Sequence, residues 1–584
     1  MSVQIKNPIT IVNQGGEAEP SNGAHITAYN TTTGVITGDG FGGTTGTVYL
    51  LDRDTDSYVA QPTSSWSDAS ITLTAPVDTS VIEGTTSLAV VDSNGEWSTK
   101  WLIYGDIPVT GHGLIYVKNL STGTISKIQM VTDADFDQLF TYTDAFASKM
   151  EVNGNTFYRD EVVGVQTGTT FHDNSNPDGF LKNMTALDQP VVFPNFSKKG
   201  QYWFANCTKF NQPIVFPESP STAWTFEYML TGARSFNQPF TIPEGITKID
   251  SGLLSDCYAY NQPITIPDSV TLIGSSFMEK CMAFNSQLAI GSGLQTVGAA
   301  FLRYCDEFNK PLTFGDSLTT IAGDFMYGCF EFNQPIELGN SLVSIGANFL
   351  QSCSSFNKEI TFPSTLGSIG QSFLSGCRSF NKPVTLPNSI TSLPQQFMSN
   401  MDVFNSTITL PQNLASIGNY FLYDDRNFDR PLSIPSTVTT IGNYFLGNNQ
   451  RFNQPIQLPS SLTSIGTYFM STARSFDHSI VIPSGVTSIG NYFMNYCSSF
   501  DSALTLPSTV TSVGTYFLSY AEAFTDLTVE TTASPTDNTS LSVSYNIAKA
   551  YVKGVTVKGA GASTWIANLP NITSPYYRNL INGN

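Results

Sequence analysis

The chain has 584 residues, 12% of them charged, with a net charge of −19. Thr, Ser and Asn supply much of the solvation, and the acidic field opposes phosphate backbones and anionic lipid. No apolar run nears the roughly 20 residues that cross a bilayer. The opening Met1-Ser-Val-Gln-Ile-Lys6 has no basic segment followed by an apolar one, and Tyr576 to Asn584 shows no anchor tail. Nucleic acid and membrane insertion are therefore not expected.

Residues 1–105 read as a separate β domain. The segment Val35 to Gly42 precedes a strand, Thr47-Val48-Tyr49-Leu50-Leu51, and stretches led by Trp66 and running from Leu88 to Ser98 follow. This order resembles the IPT/TIG immunoglobulin-like domain, which implies a β-sandwich. Gly38, Gly40 and Gly43 match the spacing of a dinucleotide fingerprint. A β-rich stretch follows them instead of a helix, so they read as a turn. Asp52, Asp54 and Asp56 alternate as in a calcium loop but lack its Gly and Glu, and a hairpin turn explains them as well. Residues 106–182 read as a small α+β connector with a helix over Asp133 to Met150. The cluster His172 to Gly179 reads as turns.

From 183 to 530 the chain is periodic. An aromatic followed by Asn or a related residue stands at Phe210, Phe236 and Tyr260, and then every 24 residues to Phe524, giving about 15 copies with a weaker one at Leu187. In the copy from Tyr260 to Phe284, Ile264-Thr265-Ile266 alternates as a half-buried strand does. Pro267 ends it, Val270 to Ile273 is a second extended piece, and Phe277, Met278 and Cys281 recur at helical spacing. Each unit thus predicts a strand, a turn, a short extended piece and a helical turn. No unit can bury its apolar side alone, so copies must stack.

The columns assign roles. Phe277, Phe301, Phe325, Phe349, Phe373 and Phe421 form a core ladder. Cys257, Cys281, Cys305, Cys329, Cys353 and Cys377 fall in one column, which also accepts Ala and Met, and so read as small packing groups. The Asn column, Asn261 and its equivalents, reads as side chains that satisfy turn backbone. Thr265, Thr313, Glu337, Thr361, Thr385, Thr409 and Gln457 face outward on the strand and are the candidate exposed face. With about 4.8 Å per strand, that face runs roughly 65–70 Å.

Pro459-Ser-Ser-Leu-Thr-Ser-Ile-Gly-Thr-Tyr-Phe-Met470 resembles the BspA-type leucine-rich repeat, whose usual unit is one residue shorter. Cys353-Ser-Ser-Phe-Asn-Lys358 is similar to related surface-protein repeats with a Phe-Asn-Gln core. The resemblance covers about 60% of the chain. It implies a curved, surface-exposed or ligand-binding solenoid and no catalytic site. Residues 531–584 read as a terminal cap, with a last strand over Tyr551 to Val557 and covering residues from Trp565 to Ile581.

The expected fold is thus multidomain and β-rich: an immunoglobulin-like domain, a connector, a leucine-rich-repeat solenoid and a cap. No cofactor, metal or catalytic residue is nominated. The expected function is that of a phage virion surface protein, assembled in the host cytoplasm, in head decoration, fibre or tail. Its N-terminal domain would dock on virion proteins and its solenoid on host-surface glycan or protein. A bacterial cell-surface leucine-rich-repeat adhesin and a glycan-cleaving tail spike are the alternatives, and oligomeric state is left open.

Overall fold

A computed structural model describes residues 25–30, 35–39, 45–52, 57–67, 70–74, 86–91, 97–102, 112–140, 149–167, 178–189, 191–192, 196–197, 199–216, 223–531, 555–568 and 580–582. The chain divides into two compact units. One holds residues 1–174, 184–196 and 210–219, and the other holds 175–183, 197–209 and 220–584.

In the first unit, strands β1 (His25–Asn30), β2 (Val35–Asp39), β5 (Thr63–Trp66) and β6 (Ser70–Leu73) form an antiparallel sheet in the order β1-β2-β6-β5. A second antiparallel sheet runs β4-β3-β7-β8, from β3 (Thr47–Asp52), β4 (Ser57–Gln61), β7 (Thr86–Val91) and β8 (Trp97–Leu102). Period-two alternation shows in β6, where Ile71 and Leu73 are buried. Trp66 ends β5 rather than leading a strand.

The connector is mostly β. Strands β9 (Gly113–Lys118), β10 (Ile125–Met130) and β13 (Val162–Thr167) make an antiparallel sheet, and β11 (Lys149–Val152) pairs with β12 (Asn155–Tyr158). The expected helix over 133–150 is corrected: α1 covers Asp133–Asp137, and Met150 lies in β11. The reason is local. Asn153 and Gly154 both adopt positive φ, 46° and 73°, the two-residue turn that joins antiparallel strands.

The second unit is a β-rich solenoid. Rungs contribute up to two short parallel segments, the first being absent as a strand, for example, at 360–362, 432–434 and 456–458. Ile264–Ile266 pairs in register with Leu288–Ile290, and Leu272–Ile273 pairs with Lys248–Ile249 on one side and Thr296–Val297 on the other, always one 24-residue step apart. The second segment builds a six-stranded ladder from Lys248–Ile249 to Ser368–Ile369. A second six-stranded ladder runs from Ser392–Leu393 to Ser512–Val513. Gly274 and its equivalents follow this segment because rungs approach closely there. A Cβ on Gly298 would lie 2.3 Å from the Gly274 carbonyl carbon. Pro394 occupies that column between the ladders. In other rungs this position donates an N–H to the preceding rung, as Gly370 does to Ile345 at 2.8 Å. Proline has no N–H to give, and the ladder is interrupted there.

The expected helical turn is also corrected. Over 275–281 the chain is a ribbon with left-handed residues four apart, Ser276 at φ 56° and Lys280 at 60°. The N–H groups of Ser276, Met278 and Lys280 donate to Ala299, Phe301 and Arg303 of the next rung at 2.7, 3.0 and 2.7 Å. A left-handed non-glycine residue costs about 1–2 kcal/mol; the hydrogen bonds to the neighbouring rung offset it. Phe277, Met278 and Cys281 are all buried, which gives the spacing that suggested a helix without helical backbone.

Beyond Phe524 the step shortens to 23: Leu527 pairs with Leu504. Val555–Lys558 and Leu580–Asn582 extend the same parallel sheet, and helix Ala562–Asn568 buries Trp565. The strand expected last, over 551–557, is described from Val555, and Leu580–Asn582 follows it as the last strand of the sheet. Residues 551–554 lie outside the described ones.

Candidate functional surfaces

Stacking decides what each column can do. Phe277, Phe301, Phe325, Phe349, Phe373 and Phe421 are fully buried, and neighbouring rings stack 5.1–6.4 Å apart from Phe277 to Phe421. Cys257, Cys281, Cys305, Cys329, Cys353 and Cys377 are free, fully buried thiols. Each donates Sγ–H to a carbonyl of the preceding rung, as Cys281 does to Leu254 at 3.1 Å. Burial pushes their pKa values up, so they stay thiols and resist oxidants. Cys497 is pushed up to about 12 by the same burial.

The Asn column is a backbone clamp. Asn261 Oδ1 accepts the N–H of Asn285 at 2.8 Å, and the pattern repeats from Asn237 to Asn405 and on through Asp429, Asn453 and Asp477.

The outward strand column is solvent-facing. Thr265, Thr313, Glu337, Thr361, Thr385, Thr409 and Gln457 are all exposed. Where the ladder is continuous they sit in register, Thr313 beside Glu337 and Thr385 beside Thr409. Val481, in the same column, is 75% exposed. The result is a flat strip of hydroxyls, nearly uncharged.

A third surface escaped the sequence reading. Along the left-handed ribbon, Tyr420, Tyr444, Tyr468, Tyr492 and Tyr516 stack with ring separations of 4.2–4.4 Å, half-buried. Burial, together with the hydroxyl of Tyr492, pushes Tyr468 up to about 12. The Tyr-Phe dipeptides that recur every 24 residues carry the signal, since stacked rungs put equivalent positions on one line. In the earlier rungs Arg303 instead lies over Tyr304 and Tyr327, at 4.9 and 5.6 Å.

Among the described residues no group of three His, Cys, Asp or Glu could hold a metal ion. Asp52 sits opposite Ser57 across β3 and β4, consistent with a hairpin; Asp54 and Asp56 lie outside the described residues, as do Gly40, Gly43 and His172 to Pro177. Among the described residues no helix is long and apolar enough to cross a membrane.

The family model described as BspA type leucine rich repeat region matches residues 178–309, 227–357, 319–453 and 422–548, together more than half of the chain. The chain belongs to the BspA-type leucine-rich-repeat family. No curated protein matches it. Among solved structures, this BspA-type chain is similar to a leucine-rich repeat protein from Bacteroides ovatus, with 16% identity over 68% of this chain and 94% of that one, at a TM-score of 0.44. It is also similar to a leucine rich cell surface protein from Faecalibacterium prausnitzii, with 16% identity over 72% and 94% of the two chains, at a TM-score of 0.29. A third is the pneumococcal vaccine antigen PcpA, with 14% identity over 75% and 99%, at a TM-score of 0.29.

Proposed function

We propose that this BspA-type protein is a non-enzymatic adhesin displayed on a bacterial cell surface, whose solenoid holds a protein or glycan ligand. The observation that carries the reading is the outward strand column. Its seven assigned residues are exposed while the residues flanking Thr265, Thr385 and Thr409 in sequence are buried, leaving a long, nearly uncharged strip. Hydroxyls at regular spacing offer many weak contacts, which gain strength by acting together. The region 1–105, with its two antiparallel sheets, serves as the immunoglobulin-like docking module. The virion reading draws no support from the family match and stands second.

Protease shaving tests the reading. Trypsin applied to intact producing cells should release solenoid peptides before any cytoplasmic protein appears. Release only after lysis would sink surface display, and recovery of the chain in purified phage particles would restore the virion reading.

A further inference from the structure

The Lys and Arg residues of the later solenoid fall at one place in the rung, which acids such as Asp306, Glu307, Glu331, Asp501 and Glu522 share. From residue 305 to 530 every Lys and Arg falls within two residues of the Phe-Asn aromatic: Lys310, Lys358, Arg378, Lys382, Arg426, Arg430, Arg451 and Arg474. All therefore lie on one edge, where the chain turns around that buried ring. Within the edge they follow a second period. Arg378 and Lys382 flank Phe380, Arg426 and Arg430 flank Phe428, and Arg474 and His478 flank Phe476. Pairs of Lys or Arg thus flank Phe380 and Phe428, 48 residues apart, and Arg474 with the imidazole of His478 flanks Phe476 another 48 residues on, with Arg451 in a rung between.

The geometry turns this sequence period into a distance. Ring-to-ring steps from Phe380 to Phe476 are 5.6–6.0 Å, so the rings that successive pairs flank are two such steps apart along the stack. Arg378, Arg426, Arg430, Arg451 and Arg474 are exposed and Lys382 is half-exposed. Arg426 pairs with Asp424 at 2.8 Å, leaving its side chain 60% exposed. Arg430 Nε donates to the Asn405 carbonyl at 2.9 Å, and His478 Nε2 lies 3.1 Å from the Asn453 carbonyl. Among the described residues no carboxylate makes an ion pair with Arg378, Lys382, Arg430, Arg451 or Arg474. The acids on the same stretch are Asp402, Asp424, the buried Asp425, Asp429 and Asp477, against six Lys and Arg. The last two turn an oxygen into the backbone clamp, towards the N–H groups of Asn453 and Asp501.

A cationic line on a chain of net charge −19 selects a thin anionic partner rather than a broad one, because the rest of the surface repels negative charge. Between the cations the edge presents Ser379, Asn381, Ser406, Asn427, Asn453 and Gln454, amides and hydroxyls that suit sugar hydroxyls. We infer that this edge binds a linear anionic polysaccharide laid along the solenoid axis, with its acidic group on every second sugar so that each disaccharide meets one cationic pair. The edge is distinct from the exposed strand column, so this inference stands or falls apart from the adhesive reading of that column.

The test uses the full chain and immobilised hyaluronate, which carries one carboxylate per disaccharide, read by biolayer interferometry in low salt. Binding should appear with hyaluronate, weaken steeply between low and physiological salt, and be absent with neutral dextran. Arg378→Gln, Lys382→Gln, Arg426→Gln and Arg430→Gln together should weaken it by at least about tenfold, the scale on which losing several charge contacts to a polyanion acts. The charge-matched control Lys118→Gln, Lys127→Gln, Lys149→Gln and Lys558→Gln, all at exposed positions away from the edge, should bind as the parent does. Unaltered melting curves would confirm that both variants fold. Equal loss in the two variants, no loss in the edge variant, no binding at all, or equally tight binding of single-stranded poly(dT) would each overturn the inference.

Discussion

The solenoid reaches one architecture by two backbone routes, and they change over near Pro394. In the earlier rungs the residue after the core Phe is right-handed, and its N–H points forward: Met278 donates to Phe301 and Leu302 to Phe325. In the later rungs Leu446, Met470, Met494 and Leu518 sit at φ 48–50° and donate backward, to Phe421, Phe445, Phe469 and Phe493. The buried Phe ladders are the same on both sides. What differs is outside and beside them. The earlier rungs carry a continuous thiol column with Ser276, Ala300, Asp324 and Asn348 on the ribbon, and the later ones carry the Tyr420-to-Tyr516 stack with Asp425, Asn449 and Ala473 in the thiol positions. A rung is therefore specified by its apolar columns, while its peptide orientation is left to its neighbours.

The comparison can be broken most strongly in the core. Phe325→Ala and Phe469→Ala should each cost about 3–5 kcal/mol, as deletion of a buried aromatic does. If the interruption at Pro394 separates the halves, hydrogen exchange should quicken mainly in the half that holds the substitution. Equal quickening in both halves would show one cooperative block.

A smaller effect belongs to Asp425. Its side chain is fully buried, one oxygen accepts the Met401 N–H at 2.7 Å, and burial raises its pKa well above the ordinary carboxylate value. The folded chain therefore keeps a proton that the unfolded chain loses above about pH 3.9. Its contribution is fully present below that pH and declines as pH rises towards the raised value. Asp425→Asn keeps the acceptor, as Asn449 does one rung on for the Asp425 N–H at 2.8 Å. Denaturant titrations from pH 4 to 8 should show parent stability falling relative to this variant, and parallel curves would refute the assignment.

The smallest effect is at the junction. Pro394→Ala restores an N–H where Ala322 donates one to Val297 at 2.9 Å. Net stability should change by no more than about 1 kcal/mol, since a new hydrogen bond is opposed by a freer unfolded chain. Amide exchange over 368–394 should nevertheless slow, and unchanged exchange would mean that Pro394 does not cause the break.

Much of this was legible in the sequence. The 24-residue period, the Phe ladder, the buried Cys column and the outward Thr column follow from residues that recur at one position and alternate as strands require. The ribbon was not legible, because Phe277, Met278 and Cys281 have the spacing of a helix and only φ distinguishes the two. The Asn153-Gly154 turn was written in the chain but was overridden by the apolar pattern of 133–150. The split of cations into pairs two rungs apart was also readable, but it gains meaning only when stacking places Phe380, Phe428 and Phe476 on one line.

The central claim is that in-register stacking produces one continuous exposed face. A double variant, Thr385→Cys with Thr409→Cys, tests it most directly, because adjacent parallel strands about 4.8 Å apart fall within disulfide reach. Mild oxidation followed by peptide mapping should give a 385–409 disulfide, while Thr385→Cys with Gln457→Cys, three rungs apart, should give none. Failure of the first pair to link, or equal linking of the second, would contradict the stack.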